Sequence, residues 1–179
     1  PYRNVELGWI YIPLALVTIL AASTTSLVDG LDGLAGGVYA LCLLAYLVIA
    51  LHNGQQTLAI FTALCIGALL GFLWFNVNPA QVFMGDTGAL AFGATLGVVA
   101  MLSRQALLLP LIGVVLVAEV LSVILQVGYF KLSHGKRIFL ISPYHHHLEK
   151  KGWPEVKIVQ RFWLATAVSA SLGVGLAVR

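Results

Sequence analysis

Charge is what this sequence has least of. Charged side chains make up 9% of its 179 residues, where a soluble domain carries roughly 25%. Hydrophobic residues make up 60%, more than a water-soluble fold of this length can bury. Composition therefore excludes a soluble globular protein and implies an all-α, polytopic membrane helix bundle. The net charge of +3 comes from few basic residues gathered largely in one segment, which is no footprint of nucleic-acid binding. Cysteine is nearly absent. Cys42 and Cys65 lie inside apolar runs without metal-site spacing and read as small core residues. Low-complexity tracts and internal repeats are missing too. So are an initiator Met and a signal peptide, because the chain opens Pro1-Tyr2-Arg3 and soon turns apolar. It is expected to be a piece of a longer chain.

What is there stands out against that background. Between Leu7 and Ser103 the only formal charges are Asp29, Asp32 and Asp86, which are also the only aspartates in the chain. A carboxylate in so apolar a sequence costs several kcal/mol unless it meets water, a cation or a hydrogen-bond donor. None has a lysine or arginine nearby in sequence, so the three ask for an external cation, a polar ligand or a wet loop. Gly30, Gly33, Gly85 and Gly88 flank them and mark turns where backbone can approach a ligand.

Six apolar stretches read as membrane helices: about 8–28, 34–51, 57–75, 87–103, 106–129 and 159–178. The fifth carries Glu119 and Gln126, so part of it faces protein or a polar cavity. Glu119 is a functional candidate by default, and equally a packed or hydrogen-bonded acid. Gly67–Gly71 and Gly93–Gly97 have the spacing that lets helices touch closely, more a packing signal than a functional one. Trp9, Trp74, Trp153 and Trp163 lie near helix ends, as interfacial anchors do. If the helices alternate, the connections at Asp29/Asp32, at 76–86 and at 131–157 share one side. Seven of the ten basic residues lie in or beside 131–157, which makes that side cytoplasmic. Residues 1–179 are expected to form one integral-membrane domain whose unusual polar groups collect on its cytoplasmic face.

The connection from Asn76 to Gly88 contains Phe83-Met84-Gly85-Asp86. Asp86 is placed either to cap the following helix or to ligate Mg²⁺ that keeps waters and bridges a phosphate. Asn76 adds an amide and Phe83 a flat face for a base. The 131–157 loop carries His145, His146 and His147 in succession, with Lys136, Arg137, Lys150 and Lys151 nearby. Consecutive histidines on a helix cannot all reach one ion. They suit anion recognition, such as a diphosphate, or a basic loop under anionic lipid. Asp29 and Asp32, spaced i, i+3, share a face if the second helix reaches back that far. They could bind metal or accept from a base N–H or a sugar hydroxyl. Together these parts suit Mg²⁺-assisted phosphoryl transfer from a soluble nucleotide donor to a lipid. A metal or nucleotide-sugar transporter is the rival class, but its site would lie nearer the bilayer midplane.

Phe83-Met84-Gly85-Asp86, Asn76 with Pro79-Ala80-Gln81, the run from Leu121 to Gly128, and Pro143 with His145-His146-His147 and Glu149 resemble one known family. It is the phospho-N-acetylmuramoyl-pentapeptide transferase (MraY) family. The Lys150-Lys151-Gly152-Trp153-Pro154-Glu155 tail fits it as well, and the resemblance spans nearly the whole chain. It implies an enzyme of peptidoglycan synthesis in the bacterial cytoplasmic membrane. Such an enzyme moves phospho-MurNAc-pentapeptide from UDP-MurNAc-pentapeptide to undecaprenyl phosphate, giving lipid I and UMP. The related transferases that use a UDP-N-acetylhexosamine donor are the alternative. The resemblance makes Asp86 the Mg²⁺-binding and catalytic aspartate and His145 a second catalytic group. Phe83 and Gly30-Leu31-Asp32 would hold uracil. Asp29, Asn76, Gln126, His145, His146 and His147 would line the nucleotide-sugar and diphosphate region. It also implies a homodimer of a ten-helix fold, with this chain as the last six helices and inactive without the N-terminal half of the same enzyme. The chain departs from the family where Ser23, Ser26 and Val28 replace two asparagines and a threonine.

Overall fold

A computed structural model of the chain describes residues 27–179 together with Trp9, Ile12, Pro13, Thr18 and Ala22. The first expected span, 8–28, and the substituted Ser23 and Ser26 therefore lie almost wholly outside the described residues. The described residues are helical and contain no strand. In chain order they form α1 (Leu34–His52), α2 (Gln56–Asn76), α3 (Gly85–Leu102), a 3₁₀ turn (Ala106–Leu108), α4 (Leu109–Ile112), α5 (Val114–Leu132), α6 (Tyr144–Lys150) and α7 (Glu155–Ala177). Four of them, α1, α2, α3 and α5, are long and apolar enough to cross a membrane. The chain is thus a multi-pass helical membrane protein.

The buried centre is α1. Leu34, Val38, Tyr39, Leu43, Tyr46 and Ile49 are inaccessible or nearly so, and the helix packs against α2, α3 and α7. Its two tyrosines need partners for their hydroxyls in an apolar interior. Tyr39 donates to Ala89 O on α3 and Tyr46 to Gln105 O beyond it, each at 3.2 Å. The small residues of α1 admit α7: Gly37 faces the Trp163 ring so closely that a Cβ would lie 2.1 Å from Trp163 Nε1. Trp163 is therefore a wedge between helices, with its Nε1–H donated to Gly33 O at 3.2 Å. It is not the interfacial anchor expected from sequence. Trp74, exposed on α2, is positioned as an anchor would be. Leu64, Leu70 and Leu121 are exposed too, as side chains against lipid are. Gly67 and Gly71 have nothing within 4 Å of an added Cβ, so their close-contact spacing is unused among the described residues.

The expected continuous span over 106–129 is broken. Pro110 opens the short α4, and Gly113 ends it at φ −98° and ψ 39° before α5 begins. A break at membrane depth is tolerated only where the freed backbone groups find partners. Ile112 O finds them in Ser169 Oγ of α7 at 3.2 Å and Cys42 Sγ of α1 at 3.7 Å. Gly173 leaves room for the Ile112 side chain. The last helix begins at Glu155, four residues earlier than expected. Its 23 residues could span a bilayer, but Glu155, Lys157 and Arg161 in its first two turns make that end polar.

Chain alternation does sort the connections as expected. Gln55 Nε2 donates to Leu102 O at 2.9 Å, which joins the α1–α2 and α3–α4 connections at one end of the bundle. The 28–33 turn, the 77–84 turn and the 133–154 segment meet at the other.

Candidate functional site

At that second end the chain makes a tight turn before α1. Gly30 N–H bonds Val28 O at 2.9 Å and Leu34 N–H bonds Leu31 O at 3.0 Å. Gly33, at φ 78°, then starts the helix in a conformation that a side chain would strain. Asp29 and Asp32 thus precede α1 and do not share a helical face. Their carboxylates part company instead.

Asp32 is held on both sides. Its Oδ2 accepts from Ala80 N–H at 2.9 Å and from Asn78 Nδ2 at 3.1 Å. Its own N–H donates to Glu155 Oε1 at 2.7 Å. Asn78 Nδ2 reaches Glu155 Oε2 at 3.4 Å, closing a four-cornered network over three segments. The sequence marks Glu155 only as part of the tail that carries the resemblance, and does not mark Asn78. Both are polar residues in polar connections, which carry no signal of a long-range partner.

Asp29, half-buried, belongs to the other turn. Burial pushes its carboxyl above the ordinary carboxylate range, a backbone hydrogen bond from Gly85 pulls it down, and the like charge of Asp86 pushes it up again. Asp29 therefore lies beside the start of α3, close enough to Asp86 to feel its charge. Asp86 lies in the first turn of α3 and is exposed; no side-chain bond caps that helix, whose N-cap position is Met84. Phe83 beside it is 75% exposed, a free aromatic face. Asn76 is buried and fully used: Oδ1 accepts Gly33 N–H at 3.0 Å and Nδ2 donates to Val82 O at 2.8 Å. It fixes the two turns against each other.

The three histidines diverge from α6. His145 is fully buried against Glu119 of α5, with Nδ1 3.1 Å from Glu119 Oε2 and its N–H donated to Glu119 Oε1 at 3.1 Å. His146 pairs with Glu149 Oε2 at 2.5 Å, both partly exposed. They line a 360 Å³ cleft with Ile141 and Lys150. His147 is buried, accepts Leu140 N–H at Nδ1 (3.1 Å) and stacks on Tyr144. Burial, and then the charge of Lys151, hold its imidazole below the usual histidine range. Gln126 is likewise spent on the loop. Its Oε1 accepts Ile138 and Phe139 N–H at 3.1 and 2.9 Å, and its Nε2 donates to Phe139 O at 3.2 Å.

Basic side chains border this end. Lys157 and Arg161 lie over the Trp153 ring, 5.1 and 4.5 Å from its centroid. A larger cleft of 720 Å³, lined by Gly54–Leu58, Phe61, Val98 and Leu102, lies at the opposite end. Its lining contains no ionisable side chain.

Among the described residues the candidate site therefore has an acidic pair (Asp29, Asp86), an exposed aromatic (Phe83), a tied aspartate (Asp32) and one partly exposed histidine (His146) in a basic surround. Comparison with known proteins bears on the family of the chain. The family model described as glycosyl transferase family 4 matches residues 1–104. The chain is 50% identical over 93% of its length to a phospho-N-acetylmuramoyl-pentapeptide-transferase of Desulfotalea psychrophila. Proteins of the same name from Syntrophus aciditrophicus and Heliobacterium modesticaldum are 46% and 50% identical over 94% and 96% of the chain. The chain spans about half the length of these curated relatives, 51–54%.

Proposed function

The chain belongs to glycosyl transferase family 4, and we propose that it forms the nucleotide- and phosphate-facing part of a membrane phosphosugar transferase. The reaction is transfer of phospho-MurNAc-pentapeptide from UDP-MurNAc-pentapeptide to undecaprenyl phosphate, with lipid I and UMP as products. One observation supports it above the others. The acidic pair, the free Phe83 face and the His146–Glu149–Lys150 cleft stand at the same end of a membrane bundle, in a chain about half of whose residues match the named relatives. The basic 131–157 segment supports a cytoplasmic position for that end, where a soluble nucleotide donor is available.

Asp29 and Asp86 fit Mg²⁺. They offer oxygen only, the ligand such a hard cation takes, and their mutual repulsion is relieved by a divalent charge. No three His, Cys, Asp or Glu side chains among the described residues enclose a metal, so substrate and water oxygens would complete the coordination. When bound, Mg²⁺ supplies charge neutralisation on the diphosphate. The chain's own residues do the positioning. Phe83 stacks the uracil, with the Gly30-Leu31-Asp32 backbone at its edge. His146 and Lys150 donate to the diphosphate oxygens. Asn76, Gln126 and His147 act at one remove, holding the turns and the loop that carry those groups.

The test is UMP release by the full-length enzyme in detergent, given both substrates, with and without Mg²⁺. Release that requires undecaprenyl phosphate and Mg²⁺, and falls at least about 100-fold in a folded Asp86→Asn variant, is the expected result. UMP released from a UDP-N-acetylhexosamine and not from UDP-MurNAc-pentapeptide would overturn the donor assignment.

A further inference from the structure

Glu119 is an acidic residue in the first half of a membrane helix, fully buried, and both of its carboxyl oxygens are turned on one residue. Oε1 takes the His145 backbone N–H and Oε2 takes Nδ1, each at 3.1 Å. A carboxylate accepts and does not donate, so the ring hydrogen belongs on Nδ1 and Nε2 is left as a bare lone pair. That Nε2 is buried and makes no hydrogen bond. It points at the Asp29–Asp32 turn, where a Cβ on Gly30 would lie 2.3 Å from it. Gly30 is exposed on its other side, so this glycine is the cover over the orphan acceptor. A structural histidine does not need an unpaired nitrogen under a ligand loop, and burying one costs free energy.

We propose that Glu119 is a positioning residue that locks His145 in the Nδ1–H tautomer, so that Nε2 accepts a substrate O–H group when the Gly30 turn that covers it shifts to admit substrate. The proposal rests on the transferase reading for the identity of that O–H, which belongs either to the phosphate monoester of the lipid or to the donor sugar. Glu119→Gln separates the lock from mere packing. A glutamine has one acceptor oxygen, which the His145 backbone N–H takes. Its amide NH₂ then faces Nδ1, and the ring hydrogen moves to Nε2. Shape and both hydrogen bonds survive, but the free nitrogen becomes a donor.

The experiment is ¹⁵N NMR of histidine-labelled full-length enzyme in detergent, with steady-state kinetics on the same samples. The expected spectra show Nδ1–H for His145 in wild type and Nε2–H in Glu119→Gln, with His145→Gln used to assign the signal. Turnover is expected to drop roughly 10- to 100-fold, the loss when a buried donor meets no acceptor, while UMP affinity stays within about threefold. A rise confined to the KM for the lipid identifies the phosphate monoester as the O–H source; one confined to the KM for the donor identifies the sugar. Wild type with Nε2–H, or a Glu119→Gln enzyme with unchanged tautomer or unchanged kcat and KM, overturns the proposal. A wild-type enzyme that releases no UMP refutes the transferase reading instead, and the tautomer spectra still decide the lock.

Discussion

Glu155 Oε1 accepts the backbone N–H of Asp32 at 2.7 Å, across 123 residues of chain. The first residue of the last helix thus grips the turn that precedes the first described one. Glu155 also receives Asn78 Nδ2 through its second oxygen, so a single carboxylate joins three segments whose sequences are far apart.

Glu155→Ala should therefore loosen the site more than the bundle. The carboxylate is partly exposed, and water can replace some of what it gives, so the expected loss of stability is about 1 kcal/mol. Nucleotide affinity should fall further, because the Asp32 turn is no longer set. Thermal unfolding in detergent and UMP titration on the full-length protein check both; an unchanged affinity would show that Asp32 is ordered without Glu155.

Asn76→Ala is the contrasting case. The residue is 4% exposed and supports a buried Gly33 N–H, so the donor left unpaired costs about 1–3 kcal/mol. Here the melting temperature should fall together with ligand affinity. Asn76→Asp keeps the acceptor for Gly33 but turns a buried carboxylate oxygen on Val82 O, where Nδ2 had donated; its effect should be at least as large.

Much of this was legible in the residues themselves. The apolar runs of α1, α2 and α3 gave boundaries within two residues of those observed, because membrane helices are set by hydropathy and length. The collection of Asp29, Asp86 and the histidines at one end followed from alternation. The break at Gly113 did not, because the apolar run continues through Pro110 and Gly113 and composition cannot tell a kink from a stop. Nor did the parting of Asp29 and Asp32, which depends on α1 starting only after the left-handed Gly33. That Glu119 needed a partner was evident from its apolar helix. That the partner is His145, 26 residues on, is a fact of packing.

His147 gives the loop a pH response. Its imidazole sits below the usual histidine range because it is buried, with Lys151 adding to the effect. The folded state thus binds fewer protons than the unfolded one just below the ordinary histidine value. Stability is full above about pH 6.5 and declines as the pH falls from there toward the depressed folded value. Protonation also removes the Nδ1 lone pair that accepts Leu140 N–H. His147→Gln, which keeps an acceptor and does not titrate, should flatten the decline in melting temperature between about pH 6.5 and 5. An identical decline in the variant would place the response on another group.

The joint between α1 and α7 can be tested by steric exchange. A methyl group at Gly37 would lie 2.1–2.5 Å from three atoms of the Trp163 ring, and a ring wedged between two helices has no soft direction to move in. Gly37→Ala should cost on the order of 1–3 kcal/mol through overpacking. Gly71→Ala, on a helix face with nothing within 4 Å, should be neutral or slightly stabilising, since alanine is the better helix former. Trp163→Phe shortens the wedge and forfeits the bond to Gly33 O, and alone it should destabilise. If the two positions meet as described, the double variant will be more stable than the sum of the single losses predicts. A coupling energy near zero in that cycle would mean that α1 and α7 do not close on each other at Gly37 in the membrane.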